Sequence, residues 1–115
     1  MMMNRSLAML AFALAFSSTA AATGNVDAGK TKSAPCAACH GVDGNSTDPQ
    51  YPRLAGQYRD YLEQSLKEYR LGKRQNAIMA GFAKSLSDQY IADLAVYFAN
   101  LPGKLDDLHT RLQGD

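Results

Sequence analysis

Cys36, Ala37, Ala38, Cys39 and His40 run consecutively as C-x-x-C-H, the spacing used for covalent attachment of a c-type haem. The reason is geometric. Positions 36, 39 and 40 stand at i, i+3 and i+4, so on one helical turn all three side chains leave from one face. Two thiols can then bond to the two vinyl groups along one porphyrin edge, while the imidazole reaches under the ring to the iron. Neutral imidazole is a good iron ligand, and its second ring nitrogen needs an acceptor to fix the ring's orientation.

Other chemistries compete for the same residues. A disulfide between Cys36 and Cys39 would close a four-residue loop, which does little for stability. A thioredoxin-like redox pair needs a βαβ context, and the chain has no strand-like alternation. A structural zinc site wants four ligands, and the chain offers two cysteines and two well-separated histidines, His40 and His109. The histidine directly after the second cysteine favours haem.

With His40 as one axial ligand, the other position falls to Met79, to His109 or to no protein group. A lone methionine is usually a core gap-filler. Beside C-x-x-C-H, however, Met79 is the favoured ligand, placed in a loop-like stretch between two helical segments. A thioether favours ferrous iron and raises the reduction potential. His109 sits in the charged run DDLHTR, where a solvated surface histidine is the expectation.

These residues need elements to hold them, and the pattern is all-α. Residues 27–32 predict a short helix capped by Asp27 and stopped at Ser33–Ala34–Pro35. Gly41–Arg53 (GVDGNSTDPQYPR) is loop, rich in Gly, Pro, Asp and Asn. Gln57–Leu71 carries Tyr58, Tyr61, Leu62, Leu66 and Tyr69 on one face of a 3.6-residue period, with Gly72 as a left-handed C-cap. Lys73–Ala77 reads as polar loop and Ala80–Leu86 as a helical turn or two. Ser87 caps a last helix over Asp88–Leu101, with Ile91, Leu94, Ala95, Phe98 and Leu101 apolar, ended by Pro102–Gly103. The tail 104–115 has Leu105, Leu108 and Leu112, enough for a weak amphipathic turn.

The first residues read as a leader. Met1–Ala22 has Arg5 as a positive n-region, Leu7–Phe16 as an apolar core and small residues up to Ala22, the pattern of a cleaved secretory signal. The apolar core is too short to span a bilayer. Without the leader, the 115-residue chain keeps about 40 % apolar residues, equal numbers of acidic and basic side chains, and Met79 as its methionine. That balance disfavours a nucleic-acid binder built on bulk positive charge. The apolar core of so short a chain is modest, and a porphyrin plate would enlarge it. Lys30, Lys32, Arg53, Lys73, Arg74 and Lys84 would form either a docking rim or a solvated mixed surface.

The run CAACHGVDGNS…YPRLAGQYRDYL…M…LSD…IADLAVYFANL resembles the small class I bacterial c-type cytochromes, in the cytochrome c4 and c553 group, over Asp27–Leu101. The resemblance implies a class I cytochrome c fold over residues 23–103, with helices packed around one covalent haem c. It implies thioether links at Cys36 and Cys39, His40 and Met79 as axial ligands, and the Pro52 carbonyl as acceptor for the proximal histidine. It also implies a close crossing of first and last helices at Gly29 and Tyr97, and matches Gly44–Ser46 to the loop after the attachment site. Two-haem c4 proteins have two such domains, whereas this chain has one C-x-x-C-H. Tyr90 stands where an acidic residue is common, leaving the last helix to Ser87 and Asp88 for its cap. The function expected is a periplasmic single-haem, one-electron carrier, not an enzyme. Its donor would be a quinol-oxidising complex or dehydrogenase, and its acceptor a terminal oxidase or reductase. The competing readings are a haem subunit held permanently against a catalytic partner and a haem protein with an open sixth site.

Overall fold

The last helix carries most of the core. In the structure, a computed structural model that describes residues 20–104, the described residues form five helices and no strand. They are α1 (Val26–Lys32), α2 (Ala34–His40), α3 (Arg59–Arg70), α4 (Ala77–Ala83) and α5 (Asp88–Asn100). On α5, Ile91, Ala92, Leu94, Ala95 and Phe98 are all buried. Leu62 of α3 completes the central cluster, with Cys36, Leu54, Leu66, Leu86 and Tyr97 packed around it. Burying side chains the size of Leu62, Ile91, Leu94 and Phe98 contributes about 1.5–3 kcal/mol each, so the contacts of α5 hold the domain together.

α1 crosses α5 where Gly29 removes a side chain. A Cβ at position 29 would lie 2.1 Å from the Asp93 carbonyl oxygen and 2.6 Å from the Tyr97 Cβ. The crossing implied for Gly29 and Tyr97 is therefore present. Polar contacts lock it. The buried Asp93 carboxylate accepts from the Asn25 backbone N–H at 2.8 Å and from Gln89 Nε2 at 2.9 Å, and it pairs with Lys32. Tyr90 adds a hydroxyl donated to the Lys32 carbonyl at 3.3 Å, with the Lys32 ammonium 4.8 Å from the ring centroid. The departure at Tyr90 thus has its own use, as a second tie between α1 and α5.

Several boundaries differ from the sequence expectation, each for a local reason. α1 is capped by Asn25, whose side chain accepts from Ala28 N–H at 2.8 Å; Asp27 lies inside the first turn. α3 starts at Arg59 and not at Gln57, because the Gln57 side chain takes the Tyr58 N–H. Gly72 adopts φ +72° and its N–H bonds the Tyr69 carbonyl, as a left-handed cap requires. α4 lies three residues earlier than expected, since Asn76 caps it by accepting the Met79 N–H at 3.0 Å. Met79 consequently sits inside a helix, not in a loop. Ser87 caps α5 as expected, accepting from Tyr90 N–H. Most of the leader and Leu105, Leu108, His109 and Leu112 of the tail lie outside the described residues.

Candidate functional site

Pro35 at the start of α2 suits a helix that must begin abruptly after α1, because proline needs no N–H partner in the first turn. That helix carries Cys36, Cys39 and His40 within its seven residues. Both cysteines are partly buried and are not joined to each other by a disulfide in the structure. Burial pushes the Cys36 thiol up, and Cys39 beside it adds to the same direction. Among the described residues no group of three or more His, Cys, Asp or Glu is placed to hold a metal ion.

His40 closes α2 and is buried. Its Nδ1 lies 2.8 Å from the Pro52 carbonyl oxygen, and Tyr51 meets the ring edge-on at 6.4 Å between centroids. A carbonyl only accepts, so this bond places the imidazole proton on Nδ1 and leaves the lone pair on Nε2. That is the tautomer a metal ligand needs.

The loop that brings Pro52 under His40 is held at several points. Gly41 and Gly44 take positive φ, and the Gly44 carbonyl accepts from both Leu54 and Ala55 N–H. Arg53 Nε donates to the Ser46 carbonyl at 3.1 Å. The buried Asn45 reaches across to the chain's other end, donating to the Pro102 carbonyl at 2.9 Å and accepting from Lys104 N–H at 2.9 Å. Sequence reasoning marked Gly44–Ser46 only as a matching segment, and the bridging role of Asn45 was not legible, since Pro102 and Lys104 are remote in sequence.

α2 and α4 do not touch. Among the described helices, the α2 backbone comes close to α1 while Cys36 reaches the α3–α5 core, and α4 lies against α3. Beside that separation, large apolar side chains stay exposed: Tyr58 at 77 %, Tyr61 at 50 %, Ile78 at 57 % and Phe82 at 52 %. Tyr58, Tyr61 and Phe82 fit either helix packing or the neighbourhood of a porphyrin by sequence, and their exposure leaves the second. Tyr58 and Tyr61 are three apart, Ile78 and Phe82 four apart, so each pair occupies one helix face. Exposed apolar faces of this kind mark binding surfaces. Met79, partly buried, lies between Ile78 and Phe82 on α4.

The cytochrome c family model matches residues 26–102. The chain belongs to the cytochrome c family, as a class I member of the c4 group. It is 45 % identical over 98 residues to cytochrome c4 of Pseudomonas aeruginosa, covering 85 % of this chain and 49 % of that protein. It is 46 % identical over 80 residues to cytochrome c-554(548) of Halomonas halodenitrificans, covering 67 % of this chain and 96 % of that one. The crystal structure of reduced recombinant cytochrome c4 from Pseudomonas stutzeri superposes with a TM-score of 0.68 at 40 % identity, over 72 % of this chain and 48 % of that chain. The chain thus spans about half the length of the c4 relatives it matches.

Membership implies covalently bound haem c and the class I fold, and the site fits the group. A cytochrome c needs paired thiols, an imidazole with a free Nε2 lone pair, and an apolar bed for the porphyrin. The Cys36–Cys39–His40 turn, the His40–Pro52 bond and the exposed apolar residues on α3 and α4 supply all three.

Proposed function

We propose that this chain is a periplasmic single-haem cytochrome c that carries one electron at a time between respiratory proteins and transforms no substrate itself. The observation that carries the reading is the His40 Nδ1–Pro52 carbonyl bond of 2.8 Å, which presents Nε2 as a ligand. Cys36 and Cys39 would hold the haem through thioether bonds, His40 would ligate one face of the iron and Met79 the other. Bound there, haem c supplies a one-electron change between ferric and ferrous iron. The protein's part is to keep both axial positions filled, so that small ligands are excluded and little reorganises when the electron moves. Residues 1–22 would be a cleaved export signal, 23–103 the cytochrome domain and 104–115 a tail.

Support for a redox-protein partner comes from the relatives. A thiosulfate dehydrogenase electron acceptor of Thiomonas intermedia is 42 % identical over 71 residues. A cytochrome subunit of sulfide dehydrogenase from Chlorobaculum tepidum is 37 % identical over 76 residues. The first, an electron acceptor of a dehydrogenase, supports the carrier reading; the second, a dehydrogenase subunit, favours the alternative of a haem subunit held against its enzyme. By the family resemblance, a quinol-oxidising complex or a dehydrogenase is the donor and a terminal oxidase or reductase the acceptor. No helix among the described residues is long and apolar enough to cross a membrane.

Two measurements test the proposal. Haem should stay with the polypeptide through denaturation and acid extraction, and Cys36→Ser with Cys39→Ser should abolish that retention. Complete extraction from the unaltered chain would contradict covalent attachment. Protein purified from its native source should elute as a small species with processed N-terminus; co-elution with a dehydrogenase at fixed ratio would select the subunit alternative.

A further inference from the structure

Among the described helices α4 lies against α3 alone, and its buried surface is small: Ala83 is its one buried residue, while Ile78 and Phe82 are exposed. Seven residues anchored so lightly take their position from the segments that lead in and out. The outgoing end is fastened by Arg70 of α3, which donates to the Leu86 carbonyl at 2.8 Å and to Asp88 at 2.7 Å. The incoming segment, residues 71–76, is fastened by a single side chain.

That side chain is Arg74. Its Nη1 donates to Ser65 Oγ at 3.1 Å and its Nη2 to the Tyr61 hydroxyl at 3.4 Å, while Nε lies 3.5 Å from Glu68 Oε2. The guanidinium also lies over the Tyr61 and Tyr69 rings, 5.6 Å and 5.4 Å from their centroids. One residue of the connection thus grips four residues of α3. The backbone repeats the contact, with Lys73 and Arg74 N–H both bonding the Glu68 carbonyl. Two residues on, Asn76 caps α4 through the N–H of Met79 itself.

We propose that Arg74 is a positioning residue for Met79: by pinning residues 71–76 to α3 it fixes where α4 holds the thioether. This rests on the reading of Met79 as the distal ligand. An isolated surface ion pair is worth little, but Arg74 is a planar fork stacked against two tyrosines and bonded at three points, a geometry lysine cannot reproduce. Without it, the turn and α4 swing away from α3 more often, and the distal position opens. By sequence Arg74 belongs to either a docking rim or a solvated mixed surface; in the structure its side chain is engaged with α3.

The test uses the haem-loaded protein in its ferric state and measures the rate of cyanide binding, with amide hydrogen exchange over residues 71–80 as a second readout. Arg74→Ala should bind cyanide about tenfold faster, the factor expected when ~1.4 kcal/mol of local closure is lost, and exchange in 71–80 should accelerate. Arg74→Lys should behave like Arg74→Ala; wild-type behaviour in the lysine variant would mean that charge alone matters, and the proposal would fail. Asp93→Asn, which loosens the α1–α5 crossing, should leave the cyanide rate within about twofold, separating positioning from general stability. Should Arg74→Ala fail to fold, Arg74→Lys and Ser65→Ala carry the test, the latter expected between wild type and lysine. Unchanged cyanide rates in all three Arg74 and Ser65 variants, beside a fast Met79→Ala, overturn the role of Arg74. An unchanged rate in Met79→Ala overturns instead the ligand reading on which it rests.

Discussion

The Nδ1 of His40 donates to the carbonyl oxygen of Pro52 across 2.8 Å. Eleven residues lie between the two, and all of them belong to the irregular loop that follows the cysteine motif. The bond sets both the tautomer and the orientation of the ring. The loop's own anchors, Asn45 to Pro102 and Arg53 to Ser46, hold the acceptor in place. A hydrogen-bonded loop is thus part of the ligand, in the sense that it decides which nitrogen is available.

Gly29→Ala should cost about 3 kcal/mol, at the upper end of overpacking penalties. The added methyl would sit 2.1 Å from the Asp93 carbonyl oxygen, a backbone atom that cannot rotate away. Denaturant unfolding of the haem-loaded protein checks this. A loss below about 0.5 kcal/mol, the ordinary range for surface substitutions, would mean the crossing is not tight.

Asp93→Asn should destabilise the fold at neutral pH by about 2–4 kcal/mol, since it removes one partner of a buried charge pair. The Lys32 hydrogen bond is the main cause holding the Asp93 carboxyl below its ordinary value, with the Asn25 N–H and Gln89 pulling the same way against burial. A carboxyl depressed on folding binds fewer protons in the native state than in the unfolded chain. Its stabilisation is therefore complete above the unfolded value, about 4, and is lost as pH falls through the folded one. Unfolding midpoints of wild type and variant should converge as pH drops below about 4; a gap independent of pH down to 3 would contradict the ion pair.

How much of this was legible beforehand varies by residue, with a physical reason each time. The C-x-x-C-H turn, the Ser87 cap and the apolar face of α5 depend on neighbours within four residues, and these agree with the structure. Asn76 was equally local, three residues before Met79, yet its cap was overlooked and Met79 was placed in a loop. Asp93 interrupts the apolar face of α5, and its partners Asn25 and Lys32 come from the other end of the domain, so no local pattern could reveal it. Tyr58 and Tyr61 fit a packing period but are exposed, because periodicity reports which residues share a face and not what covers that face. The Arg74 grip on α3 likewise needs the turn at Gly72 to fold the chain back.

The central claim is that His40 and Met79 together ligate a covalently held haem iron. The far-red sulfur-to-iron charge-transfer band of the oxidised protein tests it most directly. The band should be present in the purified wild-type protein at neutral pH and absent from Met79→Ala, with haem still attached in both. Its absence from wild type, or its persistence in Met79→Ala, would contradict the account.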